Sequence, residues 1–315
     1  MTIYFAGTEH DAVEGGSGIS TNTNYFDSNY SRLAIVNPYL VSCGQTLSTE
    51  FGANTSFWVG FSIYQVSTNN PSKQLLSIYD SNGNKSVEVY PGGGYMGLIL
   101  RVYNNIDSYA DAPYFNHINN LLHRYDLNVY TDNGICYSKL YRNNIQIAQT
   151  SLNGNNRGIK TLEIYNGIQN TSYISEIIIA DESTLGMRVK TYWPTADGTH
   201  TTWEGNFDNV NNNDVGIEAI STQLPNAVET FLHGRTLSEG TTIRAITIGA
   251  AIASANPTDA SAVLNIGGTL YQKAFEKPLT QGAAPNIAIY ETNPATGVSF
   301  TAADFNSLEF GVQHA

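Results

Sequence analysis

Charge is scarce in this chain. Only 13% of its 315 residues are Asp, Glu, Lys or Arg, about half the usual share of roughly 25%. Basic residues are the scarcer kind, 15 against 27 acidic ones, for a net charge of −12. A surface of that sign repels phosphate backbones, which argues against a nucleic-acid partner. Cysteine is nearly missing: Cys43 and Cys136 are the only two. They imply no disulfide framework; they could meet across a sandwich, but both are expected to be reduced. No run approaches the 18 apolar residues of a membrane helix, so no membrane insertion is expected. Met1-Thr2-Ile3-Tyr4-Phe5 has no basic start and no long apolar core, so no signal peptide is expected either.

Motifs of chemistry are also missing. Jelly-roll glycosidases commonly place two carboxylates on a Glu-x-Asp-x-x-Glu strand, and that pattern does not occur. Nor does a Gly-x-Ser-x-Gly elbow or a Walker loop. Pro91-Gly92-Gly93-Gly94 precedes a strand pattern rather than a helix, which is the wrong setting for cradling phosphate. Glu163 and Glu176 stand alone on strand patterns, where a single Glu usually faces water. The six histidines are scattered, with no His-x₃-His pair. No enzyme and no cofactor are expected. A structural Ca²⁺ is the alternative at two oxygen-rich places, the Glu9-His10-Asp11-Ala12-Val13-Glu14 cluster and the Asp80-Ser81-Asn82-Gly83-Asn84 turn. The turn lacks a bidentate Glu, and its plainer reading as a hairpin prevails.

What the chain has instead is Tyr, Asn, Ser, Thr and Gly, with 20 Tyr against 12 Phe. This is the composition of sheets joined by turns. Strand patterns run over 57–66, 75–79, 85–90, 96–103, 124–130, 135–141, 145–149 and 173–181, with Asn82-Gly83 and Asn133-Gly134 as type I′ hairpin signals. About ten or eleven short strands at this spacing indicate an antiparallel sandwich. Beyond residue 182 the texture changes. A long strand over 242–252, a hairpin at Gly267-Gly268 and a strand over 286–290 suggest a smaller β-rich domain, 183–315, after a sandwich spanning 1–182. Near the C-terminus Asn293-Pro294 favours a turn and Gly297 tolerates positive φ. Thr301-Ala302-Ala303-Asp304 reads as a helix cap, with Phe305, Leu308 and Val312 on one face and Gly311 at the helix end. Tyr90, Tyr95, Tyr109 and Tyr114 fall on loop patterns. Their rings suit sugar stacking and protein interfaces alike, with packing or subunit contact the weightier reading.

Two resemblances add to this reading. His123-Arg124-Tyr125, the Tyr141-Arg142-Asn143-Asn144 turn and Ile174-Ser175-Glu176-Ile177-Ile178-Ile179 are similar to the strand signatures of concanavalin-A-like jelly rolls of the laminin-G or pentraxin kind, over most of 1–182. Tyr290-Glu291-Thr292-Asn293-Pro294-Ala295-Thr296-Gly297 with the following helix resembles a C-terminal signature of tailed-bacteriophage virion proteins. So do Trp193-Pro194 with Ala196 and Gly198, and Trp203-Glu204-Gly205. The resemblance implies a non-enzymatic virion component, made in the host bacterial cytoplasm and mounted in the tail, baseplate or a fibre. Its partners would be other virion proteins and copies of itself, a trimer favoured, with host cell-surface glycan a further ligand. Assembly would fall to the C-terminal domain, through Trp193, Trp203, Phe305, Leu308 and Phe310. A capsid decoration or head-fibre protein without receptor role is the first alternative. A polysaccharide-cleaving enzyme is the second and disfavoured one.

Overall fold

Alternation along the strands decides which faces meet. A computed structural model describes residues 1–7, 18–20, 22–31, 34–36, 56–65, 76–92, 97–106, 108–116, 120–164, 172–211, 218–254, 256, 259–276, 279–281 and 284–315. They form two units, Met1–Thr191 and Tyr192–Ala315. The first holds β1 (Ile3–Gly7), β2 (Gly18–Ser20), β3 (Ala34–Val36), β4 (Phe57–Gln65), β5 (Leu76–Tyr79), β6 (Lys85–Pro91) and β7 (Gly97–Tyr103). It continues with β8 (Tyr109–Asp111), β9 (Phe115–Asn116), β10 (Leu122–Asp132), β11 (Ile135–Arg142), β12 (Ile145–Asn153), β13 (Thr161–Ile164) and β14 (Ser172–Ala180). The second holds β15 (Ala196–Thr201), β16 (Val228–Leu232), β17 (Ile246–Ile252), β18 (Ala260–Ile266), β19 (Thr269–Ala274), β20 (Ala284–Tyr290), α1 (Ala302–Ser307) and β21 (Glu309–His314).

In the first unit one antiparallel sheet runs β12-β11-β10-β4-β14-β3-β2, with β1 also paired to β14. The other runs β13-β5-β6-β7-β8, with β9 on β7. Phe57, Val59, Phe61 and Ile63 of β4 and Tyr125, Leu127 and Val129 of β10 point to one side and are buried. Ile78, Val87, Val89, Leu100 and Val102 do the same on the smaller sheet. Burying each such side chain contributes roughly 1.5–3 kcal/mol, so these two rows are the sandwich core. Asn133-Gly134 turns with φ of 48° and 73°, and Asn143-Asn144 with 52° and 67°. Both hairpins therefore have the doubly positive φ of a type I′ turn. The Asp80–Asn84 hairpin does not: only Gly83 has positive φ, and the register slips between Ile78 and Tyr79. Asp80 closes it internally, Oδ1 accepting from the Asn82 and Asn84 amides at 2.9 and 2.8 Å.

Residues 183–191 belong with this first unit rather than beginning the second. Thr184 Oγ1 donates to Asp126 Oδ1 at 2.7 Å, and the Thr191 amide donates to the Tyr30 carbonyl at 2.9 Å. Arg188 forks onto Glu176 at 2.6 and 2.7 Å and also reaches Asp27 at 3.1 Å. Glu176 is fully buried, with φ of 54°, inside a bulge of β14.

Cys136 is buried and unbridged, and burial pushes its thiol up to about 12. Cys43 and the Glu9–Glu14 cluster lie outside the described residues. A thiol so buried is inert. Iodoacetamide at pH 8 should leave Cys136 unmodified in the folded protein and label it after denaturation, as read by peptide mass mapping. Rapid labelling of the folded protein would contradict this packing.

The second unit has a five-stranded sheet, β15-β16-β21-β18-β19, and the pair β17-β20. Its core is Ile248, Ala262, Leu264, Ala288, Tyr290, Phe300 and Leu308. Gly267-Gly268 makes the hairpin with φ of 61° and 85°. The strand expected over 242–252 is shorter, starting at Ile246. Glu309 Oε2 gathers four donors, the Thr199 amide and hydroxyl, the Thr230 hydroxyl and the Asn265 amide, at 2.7–3.0 Å. These bonds outweigh burial and hold its carboxyl below the usual range; they tie β15, β16, β18 and β21 together. Thr301 caps α1, and Asp304 returns the bond, as the sequence pattern requires. The helix stops at Ser307, however. Val312 and Gly311 lie in β21, not on a helix face or at a helix end. Gly311 sits opposite Thr230 of β16, so close that a Cβ would drive into the Glu229 carbonyl.

Among the described residues no helix is long and apolar enough to cross a membrane.

Candidate functional site

The outward face of the six-stranded sheet collects polar and aromatic side chains that alternation keeps out of the core. Register places Glu163 beside Ser77, Ser77 beside Glu88, Glu88 beside Arg101 and Arg101 beside Asp111, one row across five strands. Leu98, Leu100 and Val102 of β7 face inward, which turns Arg101 and Tyr103 outward.

Arg101 is the centre of this face. Its Nε and Nη2 donate to the two oxygens of Asp111 at 2.6 and 2.8 Å, a bidentate fork. Nη2 also donates to the Tyr90 hydroxyl at 2.6 Å, and that hydroxyl donates to Asp111 Oδ2 at 3.0 Å. The guanidinium carbon lies 3.8 Å from the Tyr109 ring centroid and 4.5 Å from that of Tyr90. Arg101 thus covers one side of the ring of Tyr109, a residue that remains 54% exposed. Glu88 sits behind, Oε1 accepting from the Tyr103 hydroxyl at 2.6 Å and Oε2 from Lys85 at 2.5 Å.

The electrostatics follow from these contacts. The Arg101 hydrogen bonds hold the Asp111 carboxyl below the usual range, and Asp111 in turn holds Arg101 above its own. Burial and the Asp111 hydrogen bond push the Tyr90 phenol up to about 12. Burial and a bond to Glu163 do the same to Tyr79. Arg101 pairs with Asp111 and Glu88, and Lys85 pairs with Glu88. Around Tyr109 the face therefore offers phenol hydroxyls, carboxylate lone pairs and an open ring, and the cations Arg101 and Lys85 are both matched by carboxylates. Among the described residues no group of three or more His, Cys, Asp or Glu is arranged to hold a metal ion.

Of the tyrosines singled out from the sequence, Tyr90 and Tyr109 converge on Arg101. Both are strand residues of β6 and β8 rather than loop residues. Tyr114 is exposed just before β9 and makes no ring contact with this group among the described residues. Tyr95 lies outside them. Arg101, Glu88 and Asp111 were missed, because a lone Arg on a strand has no pattern of its own. The signal was present in the Leu98-x-Leu100-x-Val102 alternation, which turns Arg101 to the face of Tyr90 and Glu88.

The residues expected to carry assembly are placed mostly indoors. Leu308 belongs to the core of the second unit and Phe310 packs against it. Phe305 is buried against His233, their ring centroids 4.3 Å apart. Trp203 is half-buried and donates from Nε1 to the Ala227 carbonyl at 3.2 Å. Trp193 is half-buried as well. Phe305 and Leu308 hold the unit together and are not exposed to a partner.

No protein-family model and no curated protein matches the sequence. The fold is similar to solved structures at low identity. The binding domain of Paraclostridial Mosquitocidal Protein 1 is 12% identical with a TM-score of 0.39, over 87% of this chain and 64% of that one. The Ruminococcus gnavus IT-sialidase CBM40 bound to α2,3 sialyllactose is 14% identical with a TM-score of 0.30, over 41% and 78%. The catalytic domain of the glycoside hydrolase family 131 protein from Coprinopsis cinerea is 12% identical with a TM-score of 0.34, over 58% and 86%. Likeness at this level carries no conclusion about ligand or chemistry.

Proposed function

We propose that the first unit binds a neutral saccharide on the outward face of the six-stranded sheet, and that the chain is a non-enzymatic component of a tailed-phage particle contributing to host attachment. The observation that carries the binding is Tyr109, half-exposed and backed by the Arg101–Asp111 fork. An immobilised ring stacks on the C–H face of a sugar at little cost in side-chain entropy, and neighbouring hydroxyl and carboxylate groups orient its hydroxyls. The pairing of Arg101 and Lys85 with carboxylates favours hydroxyl recognition over ionic recognition.

Glu88 supports the non-enzymatic part. Both its oxygens are already engaged, by Tyr103 and by Lys85, so it is poorly set to hand a proton to a leaving group. The virion part is supported by the Tyr290–Gly311 signature and the Trp193–Gly205 segment. Other virion proteins and further copies of the chain, as a trimer, are its partners in this reading.

Calorimetric titration with a panel of neutral polysaccharides tests the binding. Tyr109→Ala, at an exposed position, should leave thermal stability nearly unchanged and weaken binding by about tenfold, the stacking of one ring being worth roughly 1–1.5 kcal/mol. Unchanged affinity in that variant, or reducing sugar released from any member of the panel, would overturn the reading. Immunogold labelling of particles tests the location.

A further inference from the structure

The outward face of the larger sheet has two halves. Over β14 and the adjoining part of β10 it is covered: Arg188 and Thr184 of the following segment lie on Glu176 and Asp126, and Tyr30 stacks on Arg188 with its ring centroid 3.6 Å from the guanidinium. Over the start of β4, the later part of β10, β11 and β12 it carries another group of rings. Register sets Trp58 beside Asn128, Asn128 beside Lys139 and Lys139 beside Gln149, with Tyr130 beside Tyr137 in the next row. Tyr137 and Tyr141 flank Lys139 on its own strand, while Cys136, Ser138 and Leu140 face inward.

The rings are paired. Tyr130 and Tyr137 stack at 4.9 Å with an interplanar angle of 11°, and Trp58 and Tyr141 at 5.8 Å with 26°. Side chains stacked across strands use their faces on one another and turn their phenol tips toward water. Lys139 lies among these tips, its ammonium 5.1 Å from the Tyr130 ring. Among the described residues it has no carboxylate partner, although the chain carries 27 acids. Here the first face and this one differ. On the first, Arg101 and Lys85 are matched by carboxylates, whereas this one presents an ammonium unmatched among the described residues, framed by hydroxyls and by the exposed Gln149.

We propose that this face is a second saccharide site and that it takes a carboxylate-bearing sugar, the uronate unit of an acidic polysaccharide. Lys139 binds the carboxylate by a charge-assisted hydrogen bond. The phenols of Tyr130, Tyr137 and Tyr141 and the amide of Gln149 bind the ring hydroxyls. A protein partner fits less well, because stacking takes one face of each ring and an interface core is built from open apolar faces rather than from hydroxyl tips around a cation. The proposal is independent of Tyr109 and Arg101, so either site can fail without the other.

The test is calorimetric titration of the full chain with polygalacturonate, with dextran and dextran sulfate as comparisons. Polygalacturonate should bind, and added salt should weaken it. Lys139→Gln should lower its affinity by about tenfold or more, and Lys139→Arg should largely keep it. Tyr109→Ala should leave it unchanged. Circular dichroism melts of Lys139→Gln should stay close to the parent, since the half-buried residue gives up no ion pair among the described residues. Three results would overturn the proposal: no binding of polygalacturonate, equal binding of dextran sulfate (mere polyanion attraction), or a Lys139→Gln affinity within twofold of the parent.

Discussion

Arg188→Ala should lower the stability of the first unit by about 3–5 kcal/mol, the cost of leaving a buried charge without its partner. Glu176 has no exposed surface. Without the guanidinium its carboxylate would keep the Ser62 hydroxyl, at 3.2 Å, as its remaining hydrogen-bond donor among those described. The backbone adds to the effect. Glu176 is held at φ of 54° inside the bulge of β14, a conformation costing roughly 1–2 kcal/mol for a residue with a Cβ. The fork to Arg188, with Asp27 and Tyr30 behind it, holds the side chain in that geometry, while Arg124 Nη1 donates to the Glu176 carbonyl at 2.8 Å. Arg188→Lys should recover only part of the loss, because an ammonium cannot span both oxygens. Replacing both partners, Glu176→Gln with Arg188→Met, should recover more. Urea unfolding followed by circular dichroism measures all three. A loss below about 1 kcal/mol for Arg188→Ala would show the pair to be a surface ornament.

Gly311→Ala should be the most damaging single change in the second unit, by more than about 4 kcal/mol, the range reserved for a change the fold cannot absorb. The obstruction is backbone. The Glu229 carbonyl and the Thr230 Cα stand where the methyl would go, and β16 cannot retreat without breaking its ladder with β21. Gly297→Ala provides the contrast. Gly297 has φ of 74° but nothing within reach of a Cβ, so its cost should be that of the left-handed conformation alone, roughly 1 kcal/mol. Trp193 and Trp203 both lie in this unit, and their fluorescence during thermal unfolding distinguishes the two variants. Equal, small effects would mean that β16 and β21 are not as close as described.

The same glycine shows where sequence reading reaches its limit. Phe305, Leu308 and Val312 recur at helical spacing, and Gly311 suits a helix end by its conformational freedom. The chain uses it for its missing side chain instead, a requirement set by Glu229, more than eighty residues away in sequence. The long strands of the first unit were legible because apolar alternation and Asn-Gly turns are local signals. Strands β8 and β9 were too short for alternation to register. Strand β15, Ala196–Thr201, reads as turn chemistry, and becomes a strand through distant groups such as Glu309. At the candidate sites the tyrosines were visible as composition. Their grouping around Arg101 and Lys139 depends on which strands lie side by side, and hairpin register predicts part of that: Glu88 with Arg101, and Tyr130 with Tyr137.

The β14 bulge has one more effect. On one side of Glu176 the edge of β14 is taken by β3, and on the other by β1, whose residues pair with Ile177 to Ala180. Residues 3–7 leave the ribosome long before 177–180 exist. Strand β1 is thus made well before its neighbour, and until β14 emerges the nascent chain has an unfilled edge, open to a chaperone or to the same edge on another polysome-bound copy.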